Sequence, residues 1–400
     1  MIIPHDKFCV LPWVSLEASP VGTVRPCCLA DDEIINDTDE KCRLGHMPFE
    51  DIRNTQHMQH LREQFLNGEQ PKTCRRCWAE EDAGRTSKRM HTLNRLKHML
   101  DDSAWTVAAK PLMFLDLKLG NICNLKCRIC GSWSSSVYAA EEIKFQTDKK
   151  NNFHYIMIKL GRWPRETPGF WQELEHNAGK LQYLEFTGGE PFLIEEHFDL
   201  LRRLVTAGHA ANIEIHYNTN GTIFPVGAEE IWSHFKHVEI AFSIDDVGDR
   251  FEYQRTNADW LPVNSNIQLF REMRERHSNI SLQVCCTINV FNVLYLDQVA
   301  AWIDTQDFDY VYWNMLHDAP HLCIATLPAH TKLMVENKLR TAEFSQSHQA
   351  EINRVIDFMM QGTSQDVDVL HQSIRSVDVR RRQDIVSVAP EFAAAIDYAT

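Results

Sequence analysis

The sequence predicts an α/β chain built on a partial (β/α)6 barrel, preceded by a small cysteine-rich domain and followed by a helical extension. Three observations carry that expectation. Short β-rich runs alternate with helical patterns about six times between residues 112 and 315, which implies parallel strands joined by right-handed crossovers. Six of the twelve cysteines fall in the first 77 residues, a stretch rich in turns and poor in periodic pattern. Beyond residue 325 the pattern is mostly helical, with helices near 328–360 and a basic cluster at 380–382.

Taken in order, residues 1–77 suit a small domain organised by metal rather than by a large core. Residues 78–100 read as a helix with charge on one side, interrupted weakly at Gly84, and 72–97 hold eight Lys/Arg against three Asp/Glu. The bland reading of that charge is a solvated face; the sharper one is positive charge beside an anionic thiolate–metal centre. Pro111 marks a boundary. Strands are expected at 112–119, 181–187, 213–218, 238–243, 280–288 and 309–315, several with clean alternation such as Ile213, Ile215 and Tyr217. Helices are expected near 133–147, 195–208, 227–235, 264–277 and 293–304. Six units suit a partial barrel better than a closed one of eight, with a doubly wound open sheet as the alternative. In either case the site lies beyond the carboxyl ends of the strands. Residues 151–170, with Pro164 and Pro168, interrupt the first crossover as an insertion or lid. The domain boundaries that follow are 1–100, 110–320 and 321–400.

The 400 residues carry 41 Lys/Arg against 55 Asp/Glu, a formal charge of −14, which argues against a broad grip on nucleic acid or anionic lipid. No apolar run approaches the ~18 residues of a membrane span. The opening MIIPHDKFCVLPW lacks the basic and apolar regions of a signal peptide, so the expectation is a cytoplasmic protein. Clustered thiols in a reducing compartment suggest metal or redox chemistry before disulfides.

The first motif is LKLGNICNLKCRICG, a strand followed by Cys123, Cys127 and Cys130 in C-x3-C-x2-C spacing. Three thiolates on one loop can hold three corners of a cubane iron–sulfur cluster, leaving one iron open to bind something else. Zinc on three thiolates is the alternative, although structural zinc prefers a closed tetrahedron. This motif, together with three later strand ends, resembles the radical S-adenosylmethionine (radical SAM) superfamily over roughly residues 112–290. Ile129 stands where the family usually places an aromatic residue against the cofactor. The strand LQYLEFTGGEP ends in Gly188, Gly189, Glu190 and Pro191, a segment that in the family meets the methionyl ammonium; glycines allow close backbone approach and a carboxylate suits a cation. Ser243 and Asp245 end the strand VEIAFSIDD, where the family contacts ribose and carboxylate. Arg255 resembles a family arginine that pairs with the methionine carboxylate, with a plain surface arginine as the alternative. Asn218 and Asn220 end the strand in HYNTNG, with an Asn-Gly turn as the bland reading, and Asn289 follows ISLQVCCTI, near where the family packs adenine.

The resemblance implies specific chemistry: one electron from a reduced [4Fe-4S] cluster splits bound S-adenosylmethionine into methionine and a 5′-deoxyadenosyl radical, which removes hydrogen from substrate. It also implies an electron donor such as flavodoxin or ferredoxin. A second constellation, FCVLPWVSLEASPVGTVRPCC followed by PKTCRRCW, resembles the SPASM/twitch auxiliary-cluster module of the same enzymes. Gly22 is placed to turn a small hairpin that brings Cys9 and Cys27 together, and Cys74 and Cys77 complete four thiolates. Cys28 competes with Cys27. The module precedes the barrel here and lacks the further cysteines of a second cluster, so one auxiliary cluster is expected, with structural zinc as the alternative. Cys42, Cys285, Cys286 and Cys323 read as packing thiols. His317 and Asp318 follow the last strand at the expected open end, where they either meet substrate or form a plain loop.

The functional expectation is a radical SAM enzyme, with a peptide as the first choice of substrate and a nucleotide or sugar as the second. A rival of another class is a non-catalytic metal-stabilised binding or electron-transfer protein. That rival has no use for an open iron or for the Gly188–Pro191 segment.

Overall fold

The computed structural model describes residues 3–82, 86–97, 100, 104–146, 152–317 and 319–398. All six expected strand–helix units are present. The strands of the chain are β1 (Ser15–Ala18), β2 (Val24–Arg25), β3 (Phe114–Lys118), β4 (Lys126–Cys127), β5 (Tyr183–Thr187), β6 (Glu214–Thr219), β7 (His237–Ser243), β8 (Arg255–Thr256), β9 (Ile280–Ile288) and β10 (Tyr310–Met315). Two compact units emerge. One comprises Met1–Cys123, Ser132–Tyr217 and Val226–Val238; the other comprises Asn124–Gly131, Asn218–Pro225 and Glu239–Thr400.

In the first unit the strand order is β6-β5-β3-β1-β2. β1 runs parallel to β3, β3 to β5 and β5 to β6, and β2 closes antiparallel on β1. The N-terminal domain therefore contributes β1 directly to the edge of the parallel sheet. Alternation then separates two faces. Leu16, Leu115, Leu117, Leu184, Phe186, Ile215 and Tyr217 are buried on one. The other carries a charged row in register, Glu17 beside Asp116, Asp116 beside Glu185, and Glu185 beside His216. The aromatic pair Phe114 and Tyr183 stacks on that face with ring centroids 4.6 Å apart. Nearby, Phe8, Trp13 and Phe65 pack an aromatic core. Two fully buried arginines close the end of helix Leu11–Val14: Arg53 donates to Trp13 O at 2.5 Å, and Arg62 to Pro12 O at 3.1 Å. A fixed planar fork of donors suits this collection of orphaned carbonyls.

In the second unit β9 lies between β7 and β10, with β10 parallel to β9. The hairpin-like pair β4 and β8 is antiparallel, with Cys127 opposite Arg255. The C-terminal residues form helices Ala329–Thr341, Gln346–Gln361 and Val367–Arg381 and two shorter turns.

Three local expectations change. The helix read over 78–100 is two helices, Arg75–Asp82 and Lys88–Leu96. Ser87 caps the second by accepting from Met90 N at 3.3 Å, the start signal that a single long helix overlooked. The helix expected from 264 begins at Trp260, because Asp259 caps it and Pro262 sits in the first turn, where a missing N–H costs nothing. Within the stretch expected to be an insertion or lid, residues 152–170 are packed against the loop after β3: Asn121 N donates to Gly161 O at 3.0 Å, and Asn121 Nδ2 to Met157 O at 3.1 Å. His317 packs its ring on Phe358 at 5.1 Å, while Asp318 lies outside the described residues. No helix among the described residues is long and apolar enough to cross a membrane.

Candidate metal and cofactor centres

The N-terminal hairpin forms as its sequence suggests. Gly22 takes φ +81° and donates to Ser19 O at 2.9 Å, and β1 pairs with β2 through Glu17–Arg25 and Ala18–Val24. The turn carrying Cys74, Lys72–Cys74, is tied to the segment after Cys27: Asp31 N donates to Thr73 O and Asp32 N to Thr73 Oγ1, each at 3.0 Å. Arg89 binds the Cys9 segment to the following helices by donating to Asp6 O (2.6 Å) and Phe8 O (2.8 Å), while stacking 5.0 Å from the Trp78 ring. As a result Cys9, Cys27, Cys74 and Cys77 line one small pocket together with Leu11, Leu29, Phe65, Lys88 and Arg89.

Electrostatics in that pocket fit a cationic guest. Burial pushes the Cys9 thiol well above its usual range, and the neighbouring Cys74, Cys27 and Cys77 push it further. Cys74 is raised in the same way, by burial and then by Cys27 and Cys77. Four thiols that oppose one another's ionisation are poor company until a metal supplies positive charge, which is the behaviour of a metal–thiolate site. Among the described residues no three His, Cys, Asp or Glu side chains converge closely enough to hold a single ion. Cys28 is not among the residues lining the pocket; it lies near Lys88 and Cys27, which are, and near Asp116 and Glu185.

Lys88 links this pocket to the charged row of the sheet, lying 3.6 Å from Glu185 and 4.0 Å from Asp116. Glu17 is held by Arg25 at 2.9 Å and by Lys118. Asp116 is 2% exposed, and its Oδ1 accepts no hydrogen bond. Burial, reinforced by Glu185, raises its carboxyl to about 6. Sequence reading passed over these groups. The signal was available, since Glu17, Asp116, Lys118 and Glu185 interrupt strands expected to be covered on both faces, where near-continuous apolar runs are the rule.

Cys123 ends the first segment of unit one, and Cys127 and Cys130 follow in the second unit. In the first unit, Gly188 takes φ +118°, and a Cβ there would stand 2.8 Å from Gly120 O. A Cβ on Gly189 would stand 2.1 Å from Ile122 O. Glu190 N donates to Ile122 O at 2.8 Å, and the Glu190 side chain caps the next turn by accepting from Phe192 N at 3.2 Å. The glycines thus let the end of β5 lie directly on the backbone entering the cysteine loop. Gly189→Ala is expected to cost roughly 2–4 kcal/mol of stability, because rigid backbone meets the added methyl. A thermal melt against the wild type measures it.

In the second unit Cys127 is paired with Arg255, whose Nη1 lies 3.8 Å from its sulfur. A hydrogen bond from Cys130 and the Arg255 charge hold the Cys127 thiol down to about 7 against the opposing effect of burial. Arg255 Nη2 in turn meets Asp245 Oδ2 at 2.7 Å, and Asp245 Oδ1 accepts from Thr287 N at 2.9 Å. Arg255 is 6% exposed, yet its Nε has no hydrogen-bond partner. A buried guanidinium N–H without an acceptor fits an anionic guest such as a carboxylate.

The other expected cofactor residues differ in availability. Ser243 ends β7, and Ile129 is half-buried on the loop. Asn218 lies in β6. Asn220 donates to Asn124 Oδ1 at 2.9 Å and accepts from Thr222 N at 2.9 Å, so it braces the cysteine loop and its own turn. Asn289 is fully buried, donating to Gln254 Oε1 and Thr287 O at 3.0 Å each and accepting from Phe291 N at 2.9 Å. Cys285 and Cys286 lie on β9, where burial raises both, Cys285 to about 12.

Comparison with known proteins finds two family models that match the chain. The profile described as the radical SAM superfamily matches residues 117–303, and that of an iron–sulfur cluster-binding domain, SPASM, matches residues 9–78. Among solved structures, native anSMEcpe with bound AdoMet is 19% identical over 51% of this chain and 51% of its own, at TM-score 0.37. SuiB from Streptococcus suis, bound to S-adenosylmethionine, is 12% identical over 82% of this chain and 66% of its own, at TM-score 0.35. The radical S-adenosylmethionine methyltransferase TsrM from Kitasatospora setae is 13% identical over 37% of this chain and 30% of its own, at TM-score 0.29. This chain spans about half the length of the first of these. No curated relative matches the chain.

Proposed function

We propose that this chain, which carries a radical SAM superfamily domain and an N-terminal iron–sulfur cluster-binding domain of the SPASM type, reductively cleaves S-adenosylmethionine to abstract hydrogen from a peptide substrate. The radical SAM domain implies a [4Fe-4S] cluster and S-adenosylmethionine, and the SPASM domain implies an auxiliary iron–sulfur centre. When bound, the reduced cluster and S-adenosylmethionine supply the electron and the 5′-deoxyadenosyl radical that the chemistry needs.

The protein's own share is binding and orientation. Cys123, Cys127 and Cys130 supply three thiolates for the open-site cluster. Arg255, fixed by Asp245, offers its free Nε–H to the methionine carboxylate, and this buried, unpaired donor beside Cys127 is the observation that carries the reading. Gly188 and Gly189 present backbone to the methionyl ammonium, and Glu190 adds a carboxylate. Cys9, Cys27, Cys74 and Cys77 hold the auxiliary centre, with Cys27 preferred over Cys28 because only Cys27 lines the shared pocket. In this reading residues 1–100 form the auxiliary domain, 110–320 the catalytic barrel and 321–400 a helical extension, and a flavodoxin or ferredoxin delivers the electron.

The peptide assignment rests on the auxiliary module, whose enzymes act on peptides often. The test is isotopic. Deuterated candidate peptides, incubated with reconstituted enzyme and reductant, are expected to pass deuterium into 5′-deoxyadenosine. Transfer from a nucleotide or sugar instead would move the reading to that substrate class. Transfer from none, with no cleavage of S-adenosylmethionine, would favour a non-catalytic metal protein.

A further inference from the structure

The loop that carries Cys127 and Cys130 is held by three side chains from the end of the C-terminal helix Val367–Arg381 and the turn after it, all within the second unit. Arg128 stands between the two cysteines. Its N donates to Gln254 O at 2.8 Å and its Nε to Tyr253 O at 3.0 Å, and its guanidinium lies 3.6 Å from the Tyr253 ring centroid. The outer end of the same guanidinium donates to Asp378 Oδ1 and, at 2.9 Å, to Gln383 Oε1. Asp378 is itself anchored, because its Oδ2 accepts from Ile385 N at 3.0 Å. On the other side of Cys127, Arg381 donates to Lys126 O at 2.6 Å and to Thr256 Oγ1 at 3.2 Å. Thr256 Oγ1 also donates to Gln383 Oε1 at 3.2 Å. Arg382, at φ +55°, turns the chain so that Asp378, Arg381 and Gln383 all reach one place.

Burial sharpens the point. The Arg128 side chain is 3% exposed and that of Asp378 10%, so neither charge has water to fall back on. Buried pairs of this kind are weak evidence for stability but good evidence that a geometry is being specified. What they specify here is the backbone on both sides of Cys127: residue 126 by Arg381, residue 128 by Asp378 and Gln383.

We infer that Asp378, Arg381 and Gln383 form a C-terminal clamp whose role is to position Cys127 and Cys130 and to place the Arg381 charge beside the metal centre they hold. This rests on the radical SAM reading of Cys123, Cys127 and Cys130. The clamp residues touch neither cofactor nor substrate; they are positioning residues, and they act through the loop. Outer partners of metal ligands typically change affinity or activity about 10–100-fold when removed. A positive charge near an iron–sulfur centre favours its reduced, more negative form.

The test uses the full chain carrying Cys74→Ala and Cys77→Ala, so that only the open-site cluster is counted. In that background Asp378→Asn is expected to lower cluster iron and sulfide about 10–100-fold in apparent affinity. Arg381→Gln is expected to shift the midpoint potential of the remaining cluster to more negative values, and Arg381→Lys, which keeps the charge, to restore it. A purely structural role would lower melting temperature and loading without moving the potential, and Lys would not restore what Gln removed. Wild-type loading in Asp378→Asn together with an unshifted potential in Arg381→Gln would overturn the clamp. Global unfolding of Asp378→Asn alongside an unshifted Arg381→Gln would overturn it as well. Failure of the underlying reading looks different: the parent background itself would then show no cleavage of S-adenosylmethionine.

Discussion

Replacing Cys123, Cys127 and Cys130 together with alanine is expected to remove one cubane cluster and to abolish formation of 5′-deoxyadenosine, while the auxiliary centre stays loaded. The reason is the asymmetry of the two cysteine sets. The loop triad supplies three thiolates and leaves a fourth iron position open for S-adenosylmethionine, whereas the N-terminal set offers four thiolates to one pocket and closes its site. Arg255 and Asp245 remain in the triple variant but have nothing to orient. Iron and sulfide analysis, paired with chromatography of the nucleoside product, reads both effects on one sample. Cleavage that survives in the triple variant would sink the assignment of the loop.

The second large effect concerns the N-terminal site. Cys74→Ala with Cys77→Ala is expected to leave cleavage of S-adenosylmethionine intact and to eliminate turnover of the true substrate. It should also lower the melting temperature of the first unit. Cys77 lies in the first turn of helix Arg75–Asp82, whose Trp78 donates to Pro71 O and stacks on Arg89, and Arg89 in turn donates to Phe8 O beside Cys9, so the guest of this pocket couples to folding locally. Metal analysis of the wild type separates the two candidate guests. Acid-labile sulfide accompanies an iron–sulfur centre; zinc without sulfide would replace the auxiliary cluster with a structural ion.

How far the sequence carried this account varied from feature to feature. The six strands were legible because period-2 alternation and β-branched content survive in Ile213, Ile215 and Tyr217 and in Val238, Ile240 and Phe242. The cysteine loop and the Gly188–Glu190 segment were legible because each combines a residue type with a strand end. Helix boundaries were less so: the helix placed near 264–277 starts at Trp260, where Asp259 caps it and a first-turn Pro262 is harmless, and Ser87 was not weighed as a cap. The charged row of Glu17, Asp116 and Glu185 was overlooked because it exists only across strands, between residues 99 positions apart along the chain for Glu17 and Asp116 and 69 for Asp116 and Glu185. The clamp of Asp378 and Arg381 was illegible for the same reason. Arg128 and Asp378 are 250 residues apart, and in the sequence the basic cluster at 380–382 looks like an ordinary helix end.

The measurement that tests the central claim most directly is the electron paramagnetic resonance spectrum of the anaerobically reconstituted, reduced protein before and after S-adenosylmethionine is added. An open-site cluster predicts that the cofactor perturbs one cluster signal, that this signal is the one lost in the Cys123, Cys127 and Cys130 variant, and that the auxiliary signal does not respond. A fully loaded protein whose spectrum is unchanged by S-adenosylmethionine would contradict it.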